Sequence, residues 1–383
     1  MERLRPSLRT LIFLGGAIVM LLPALVAGTF YTGALQQRAE ALLVDKLTTR
    51  GELSANLLAR RLHELWTDVS RLATSLDPAQ LPEARDRIDF MSRLDGRYSW
   101  LGLADVNGRV LAANAGMLEG ANVSQRPWFR RGLTGPTAID VHDAVLLAKL
   151  LPASPEPYRF IDLAAPVQGA GGGVAGVLGA HFDWRWLVGN LKGLQAPGVD
   201  LLLLSRDRVV LFGPPDLVDK PLTVGSAQAA NRVATAVLDE RWPDGKDYVT
   251  VVIPTVGHGD LPSFGWSLLI RQDMDAALGP TRQLVRSFWT ILGAGALVAL
   301  ALLYAGATWV TAPLKRLVGM AEGLVDGSAP QAPRGENRFA EVERLTSALI
   351  RIQSRLLKGM AERAARPLTS APETAAEERR SAV

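Results

Sequence analysis

The residues best equipped for chemistry lie in SQRPWFRRG, residues 124–132, where Arg126, Trp128 and Phe129 stand close together and Arg130 and Arg131 follow. An arginine presents a planar fork of donors that suits a carboxylate, and adjacent rings exclude water and strengthen the contact. Three settings would use such a segment: a membrane surface, a nucleic acid, or the lining of a small-molecule pocket. A fourth is structural, a loop whose aromatics cap a sheet while the arginine pairs with an acid. The chain has 4 histidines, His63, His142, His181 and His258. His142 stands between Asp140 and Asp143 in DVHDA, and His181 is the one expected to converge with it. No HExxH or comparable spacing occurs, so no metal site is expected. Gly171, Gly173 and Gly176 have the spacing of a dinucleotide fingerprint, but the following VAGVLGAHFDW reads as a strand. It leaves no helix N-terminus for a pyrophosphate, and a hairpin loop is the better reading. With 0 cysteines there is no thiol chemistry, disulfide or iron–sulfur cluster. No Gly-x-Ser-x-Gly and no Ser/His/Asp constellation occurs either, so neither catalysis nor a cofactor is expected.

The elements that position these residues follow from hydropathy. Of the 383 residues 48% are hydrophobic, and the excess concentrates in residues 11–31 and 288–310, neither of which carries a charge. At about 1.5 Å per residue, each is long enough to cross a hydrocarbon core of roughly 30 Å. Arg3, Arg5 and Arg9 precede the first run, and Lys315 and Arg316 follow the second, which places both chain ends in the cytoplasm. The alternative for the first run is a signal peptide cleaved near Leu25-Val26-Ala27, although the run exceeds the usual apolar region of one. The expected protein is two-pass in the cytoplasmic (inner) membrane. Residues 1–10 lie inside, 11–32 and 288–310 span, 33–287 lie outside, and 311–383 return to the cytoplasm. Such a topology, with a net charge of only +4, argues against nucleic acid as a partner of Arg126.

Between the spans, residues 33–76 read as a helix. Leu58, Leu62, Leu65, Val69, Leu72 and Leu76 alternate spacings of four and three, giving one apolar face for a dimer seam or for the following sheet. The pattern then becomes strand-like. WLGLADVNGRVLAAN is a hairpin about Asn107-Gly108, and YRFIDLAAPV pairs with VAGVLGAHFDW across a Gly-rich turn. A weaker version recurs in LLLLSRDRVVLFGP, DYVTVVIPTV and GWSLLIRQDMDAAL, each half closing in a short helix. The expected fold class is therefore α+β, with two antiparallel-sheet modules in tandem behind a long entry helix.

The entry helix, DVNGRVLAAN, SQRPWFRRGLTGP, GVLGAHFDWRWL and GWSLLIRQDMDAAL together resemble a double Cache sensor domain. Such tandem PAS-like modules are the extracytoplasmic sensing parts of bacterial chemoreceptors, sensor kinases and cyclic-di-GMP enzymes. The resemblance covers about residues 33–280 and implies a distal ligand-binding module, about 98–192, and a proximal one, about 199–278. In amino-acid-sensing members an arginine, a tryptophan and an aromatic hold the ligand's carboxylate. Arg126, Trp128 and Phe129 match that order, with phenylalanine where tyrosine is usual. Asp140 matches an acid that helps hold the ammonium group. Ala138 stands where a tyrosine is expected, and Gly179-Ala180-His181 where GAD would supply a second acid. The resemblance thus implies a carboxylate without an amine, or another small anion, with His142 and His181 among the ligand-binding residues.

After the second span, Leu314, Leu317, Ala321 and Leu324 form one short heptad seam. Val342, Leu345, Leu349, Ile352 and Leu356 form another beyond SAPQAPRGENRF. With Pro313 at the membrane exit and Glu341 opening the second helix, residues 311–361 resemble a HAMP relay, a parallel four-helix coiled coil of two chains. The Ala-Pro-rich connector departs from that family's pattern. A generic juxtamembrane coiled coil is the alternative. Residues 362–383 read as a disordered tail, with no output domain following. The expectation is a homodimeric, non-enzymatic sensor that relays small-molecule binding to a separate cytoplasmic signalling protein. The alternatives are a regulatory subunit without a ligand, or a truncated chemoreceptor, histidine kinase or diguanylate cyclase.

Overall fold

The structure is a computed structural model that describes residues 6–144, 147–232, 234–325 and 339–364. Its contacts divide the chain into two units, Gly33–Val285 and the two terminal segments, Met1–Thr32 with Arg286–Val383.

In the first unit, α1 (Leu8–Ser75) supplies the backbone. Its stripe Leu58, Leu62, Leu65, Val69 and Leu72, continued by Leu76 just past its end, is buried throughout, in one cluster with residues of two sheets. Of the two sequence alternatives, packing on the sheet is the one this face adopts. Each fully buried leucine contributes about 2 kcal/mol. A helix not anticipated from sequence follows, α2 (Leu81–Leu94), then β1 (Tyr98–Asp105), β2 (Val110–Ala113), α3 (Pro127–Gly132), β3 (Thr137–Asp143), β4 (Arg159–Gln168), β5 (Val174–Asp183) and α4 (Trp184–Leu194). The second module carries β6 (Asp200–Leu204), β7 (Val210–Phe212), α5 (Gly225–Ala229), β8 (Ala236–Arg241), β9 (Asp247–Ile253) and β10 (Ser267–Asp273). The antiparallel sheets run β2-β1-β5-β4-β3 and β7-β6-β10-β9-β8, the same order twice. The expected tandem repeat is present, and the GAGGG segment is the β4–β5 turn, closed by Gly169 N–H donating to Gly173 O at 2.9 Å.

One face of each sheet meets α1. On β5, Leu178, Ala180 and Phe182 point to that core. Val177 lies in a separate cluster on the opposite face with Trp100, Trp128 and Phe160. This alternation with period two sets which side chains reach the site. In the second module the opposite face is filled by Leu202, Leu204, Val252 and Leu269. There Arg271 stacks between Trp242 and Tyr248, 4.1 Å from each ring centre, and bonds Asp200.

Met274 does not open a short closing helix, as the sequence suggested. It begins α6 (Met274–Val325), a single helix that carries the second apolar run and Pro313 without interruption. Both α1 and α6 are long and apolar enough to cross a membrane. Within the terminal unit, Tyr31 meets Phe288 at 5.7 Å and Phe13 meets Tyr304 at 5.8 Å between ring centres. Gly16 and Gly28 lie so near Leu303 and Trp289 that an added Cβ would sit 2.9 and 3.0 Å from them, the small-residue approach usual for membrane helices. After α6, α7 (Ala340–Ala364) has Glu341 in its first turn. Val342 is buried, and Phe339 stacks edge-on against Trp309 at 5.3 Å. Most of the connector 328–339 and residues 365–383 of the expected tail lie outside the described residues.

Candidate functional site

In SQRPWFRRG, Arg126 holds the N-cap position without a side-chain cap bond, and the helix opens on Pro127, a position where a missing N–H costs nothing. The resulting α3 lies on the outer face of the first sheet, burying Trp128, Phe129 and Gly132. Two glycines make room. A Cβ on Gly179 would sit 2.6 Å from the Trp128 ring, and one on Gly132 would sit 2.5 Å from Val177. A cavity of about 390 Å³ opens between α3 and β3–β5, with Trp100, Trp128, Ile139, Phe160 and Leu147 forming apolar walls. Its polar lining is Arg126, His142, Asp143, Asp162 and His181.

The structure therefore brings four of the sequence candidates together: Arg126, Trp128, His142 and His181. Phe129 and Asp140 do not line the cavity. Phe129 is buried behind Trp128, their rings perpendicular at 5.9 Å. Asp140 accepts a hydrogen bond from Trp266 Nε1 of the second module at 2.6 Å. Alternation along β3 from Ile139, which lines the cavity, already turns Asp140 to the opposite face, and a bulge follows. Ile139 pairs with Asp162 and His142 with Phe160, so β3 advances three residues while β4 advances two. The extra residue returns His142 to the cavity face beside Ile139, while Asp140 and Val141 turn to the α1 side. The proposed ammonium contact of Asp140 has no geometric support.

Sequence reasoning missed Asp162. It is 1% exposed, on the cavity face of β4 directly opposite His181. His181 Nδ1 lies 2.5 Å from one carboxylate oxygen and His142 Nε2 lies 2.8 Å from the other. His142 Nδ1 lies 3.2 Å from the backbone oxygen of Asp143, so both of its ring nitrogens face acceptors and the imidazolium form fits. Burial alone would raise the Asp162 carboxyl, but the two imidazoles outweigh it and hold the group below the usual carboxylate range. Burial alone would lower His142, but the Asp162 carboxylate outweighs that and raises it. The His181 ring stacks on Trp100 at 4.9 Å and on Phe160 at 5.8 Å. A signal for Asp162 existed. It is a carboxylate inside the apolar strand YRFIDLAAPV, and a buried acid requires partners.

Arg126 is half-buried at the cavity edge, and among the described residues no acid forms an ion pair with it. Asp143 is exposed and lies 3.8 Å from Arg159. With the Asp162 carboxylate balanced by the His142 imidazolium, the cavity's remaining charge among the described lining residues on that side is the Arg126 guanidinium, set against aromatic walls. Such a surface favours an anion with an apolar portion.

Pro313 lies inside α6, and Glu341 lies in the first turn of α7.

No family model matches the sequence, and no curated protein matches it. Among solved structures, the ligand-binding domain of the Pseudomonas aeruginosa PAO1 amino acid chemoreceptor PctB, in complex with L-Arg, is 18% identical. It aligns over 67% of this chain and 99% of that one with a TM-score of 0.51. The ligand-binding domain of the Pseudomonas fluorescens chemoreceptor CtaA, in complex with L-serine, is 19% identical over 62% of this chain and 99% of that one, with a TM-score of 0.50. Likeness at this identity is one of fold, and it bears out the resemblance on that level: the paired sheets behind α1 form the double Cache fold of bacterial chemoreceptor ligand-binding domains.

Proposed function

We propose that this chain is a transmembrane sensor whose first sheet module binds a small carboxylate, or another small anion, outside the cytoplasmic membrane. The observation that carries this reading is the free Arg126 guanidinium at the edge of an aromatic-walled cavity. The fold neighbours support the ligand class: each was solved with an amino acid, and L-arginine and L-serine both carry a carboxylate. An ammonium group has poorer prospects here, because Asp162 is committed to two imidazoles and Asp140 is turned to Trp266. The signal would leave through β10, which runs directly into α6, and reach the HAMP-like segment 311–361. There two chains would pair and address a separate cytoplasmic protein. The second module, whose outer face is filled, would act as a spacer.

Calorimetric titration of the full chain in nanodiscs against a panel of mono- and dicarboxylates tests the reading. Loss of a charge-assisted hydrogen bond costs about 2 kcal/mol, so Arg126→Ala should weaken a hit at least about tenfold. Equal binding by variant and wild type would overturn the pocket assignment.

A further inference from the structure

The three strands that floor the cavity do more than line it. Trp100, His181 and Asp162 form a row across β1, β5 and β4, each paired with the next in register. In register Ile139 ends that row, and the bulge in β3 brings His142, opposite Phe160, within 2.8 Å of Asp162. His142, Asp162 and His181 each offer one ligand atom, and these atoms all lie within 4.8 Å of one another.

The geometry points to a metal site: His142, Asp162 and His181 bind one divalent transition-metal cation at the floor of the cavity. Two imidazoles and one carboxylate are the donor set of borderline cations such as Zn(II), Ni(II), Co(II) and Cu(II). Mg(II) and Ca(II) prefer oxygen alone, and Cu(I) prefers sulfur. Three protein ligands leave at least one coordination position open, and here it faces the cavity.

Two further features fit ligation. Metal-bound histidines usually donate their second ring N–H to a carbonyl or carboxylate, which fixes the tautomer. His142 Nδ1 already faces the Asp143 carbonyl, which leaves Nε2 as the ligating atom. The His181 ring is held by stacking on Trp100 and Phe160, so its orientation needs no rearrangement. Donors at about 2.0–2.2 Å from a cation stand roughly 3–3.5 Å apart, so the present contacts of 2.5 and 2.8 Å must open slightly. His142 is 39% exposed on a bulged strand and can supply that movement. The cation replaces the protons now shared between Asp162 and the imidazoles, and those protons leave to solvent.

This inference does not depend on carboxylate binding, and the experiment separates the two. The full chain, without a polyhistidine tag, is stripped with EDTA in nanodiscs and titrated with ZnCl₂ against a chromophoric chelator. CoCl₂ then reports coordination by its visible absorption, which carries no thiolate contribution in a chain with 0 cysteines. One equivalent should bind per chain. His142→Gln, His181→Gln and Asp162→Asn should each weaken binding about tenfold or more. His258→Gln, which removes a histidine outside the cavity, should not. Since Asp162→Asn alters a buried group, His142→Gln is the decisive variant: zinc should raise the Tm of wild type but not of this half-exposed substitution. Absence of stoichiometric binding, or a loss that follows His258 instead, overturns the site. A carboxylate that still binds in EDTA while zinc does not would overturn the metal site and leave the sensor reading standing.

Discussion

At the scale of single residues, Asp140 and Asp162 show how one sheet assigns opposite tasks to two acids. Asp162 meets two imidazoles and is held ionised. Asp140 is largely buried with one indole N–H as its side-chain partner, and burial raises its carboxyl above the ordinary value of 3.8 despite bonds from Trp266 and from Val141 N–H. A raised acid binds protons more tightly in the folded state. Its stabilising effect is fully present below about pH 3.8 and is lost as pH rises through the raised value, leaving a cost at neutral pH. Asp140→Asn keeps an oxygen to accept from Trp266 Nε1 and removes the buried charge. It should raise Tm by a few degrees at pH 7, with the gain vanishing near pH 3.5, as thermal scans across that range would read. A variant less stable at pH 7 would mean that the charge itself is needed there.

At the scale of elements, the same hydrogen bond joins the bulge that aims His142 to the strand that feeds α6. Trp266 precedes β10 by one residue, and its ring stacks on Phe264 at 4.4 Å and meets Trp184 at 6.1 Å. Trp266→Phe deletes the donor while keeping an aromatic body, and should cost about 1–2 kcal/mol of stability in chemical denaturation. If ligand-driven movement of the bulge travels this way, the variant should bind carboxylate within about threefold of wild type yet fail to transmit. The readout is the ligand-dependent change in disulfide formation at a cysteine introduced in α7. A preserved change would send the signal by another route. Much of this architecture was legible in advance. The α1 stripe follows a helical period, the hairpins carry Asn-Gly or Gly-rich turns, and their repetition gave the two modules. The bulge was not legible. Within TAIDVHD only Ile139–His142 alternates apolar and polar, and the extra residue appears only when Asp162 and Phe160 are seen opposite Ile139 and His142. Asp140 is a ligand contact only by the resemblance, which carries no information on the pairing of β3, and Asp162 gives no signal beyond being an acid in an apolar strand.

At the scale of the whole molecule, α7 presents a heptad seam that a second helix would cover. Leu345, Ile352 and Leu356, three of the five seam residues, are about half exposed, whereas Val342 at the start of the seam is buried. Three leucine-sized side chains left half in water forgo about 1 kcal/mol each, and a parallel partner helix would recover it. A second copy of this chain suits the role because it offers the same heptad in the same register. The chain's lack of cysteine allows a direct test, since Leu345→Cys introduces the only thiol. In membranes from cells expressing only this variant, mild oxidation should yield a dimer of the chain's own mass doubled. Ser354→Cys, about two and a half turns on and off the seam, should crosslink several-fold less. If Leu345→Cys gives no self-dimer alone but a mixed disulfide when a receptor bearing a matched cysteine is co-expressed, α7 serves as a regulatory partner helix. The cavity would then report to another protein's coiled coil.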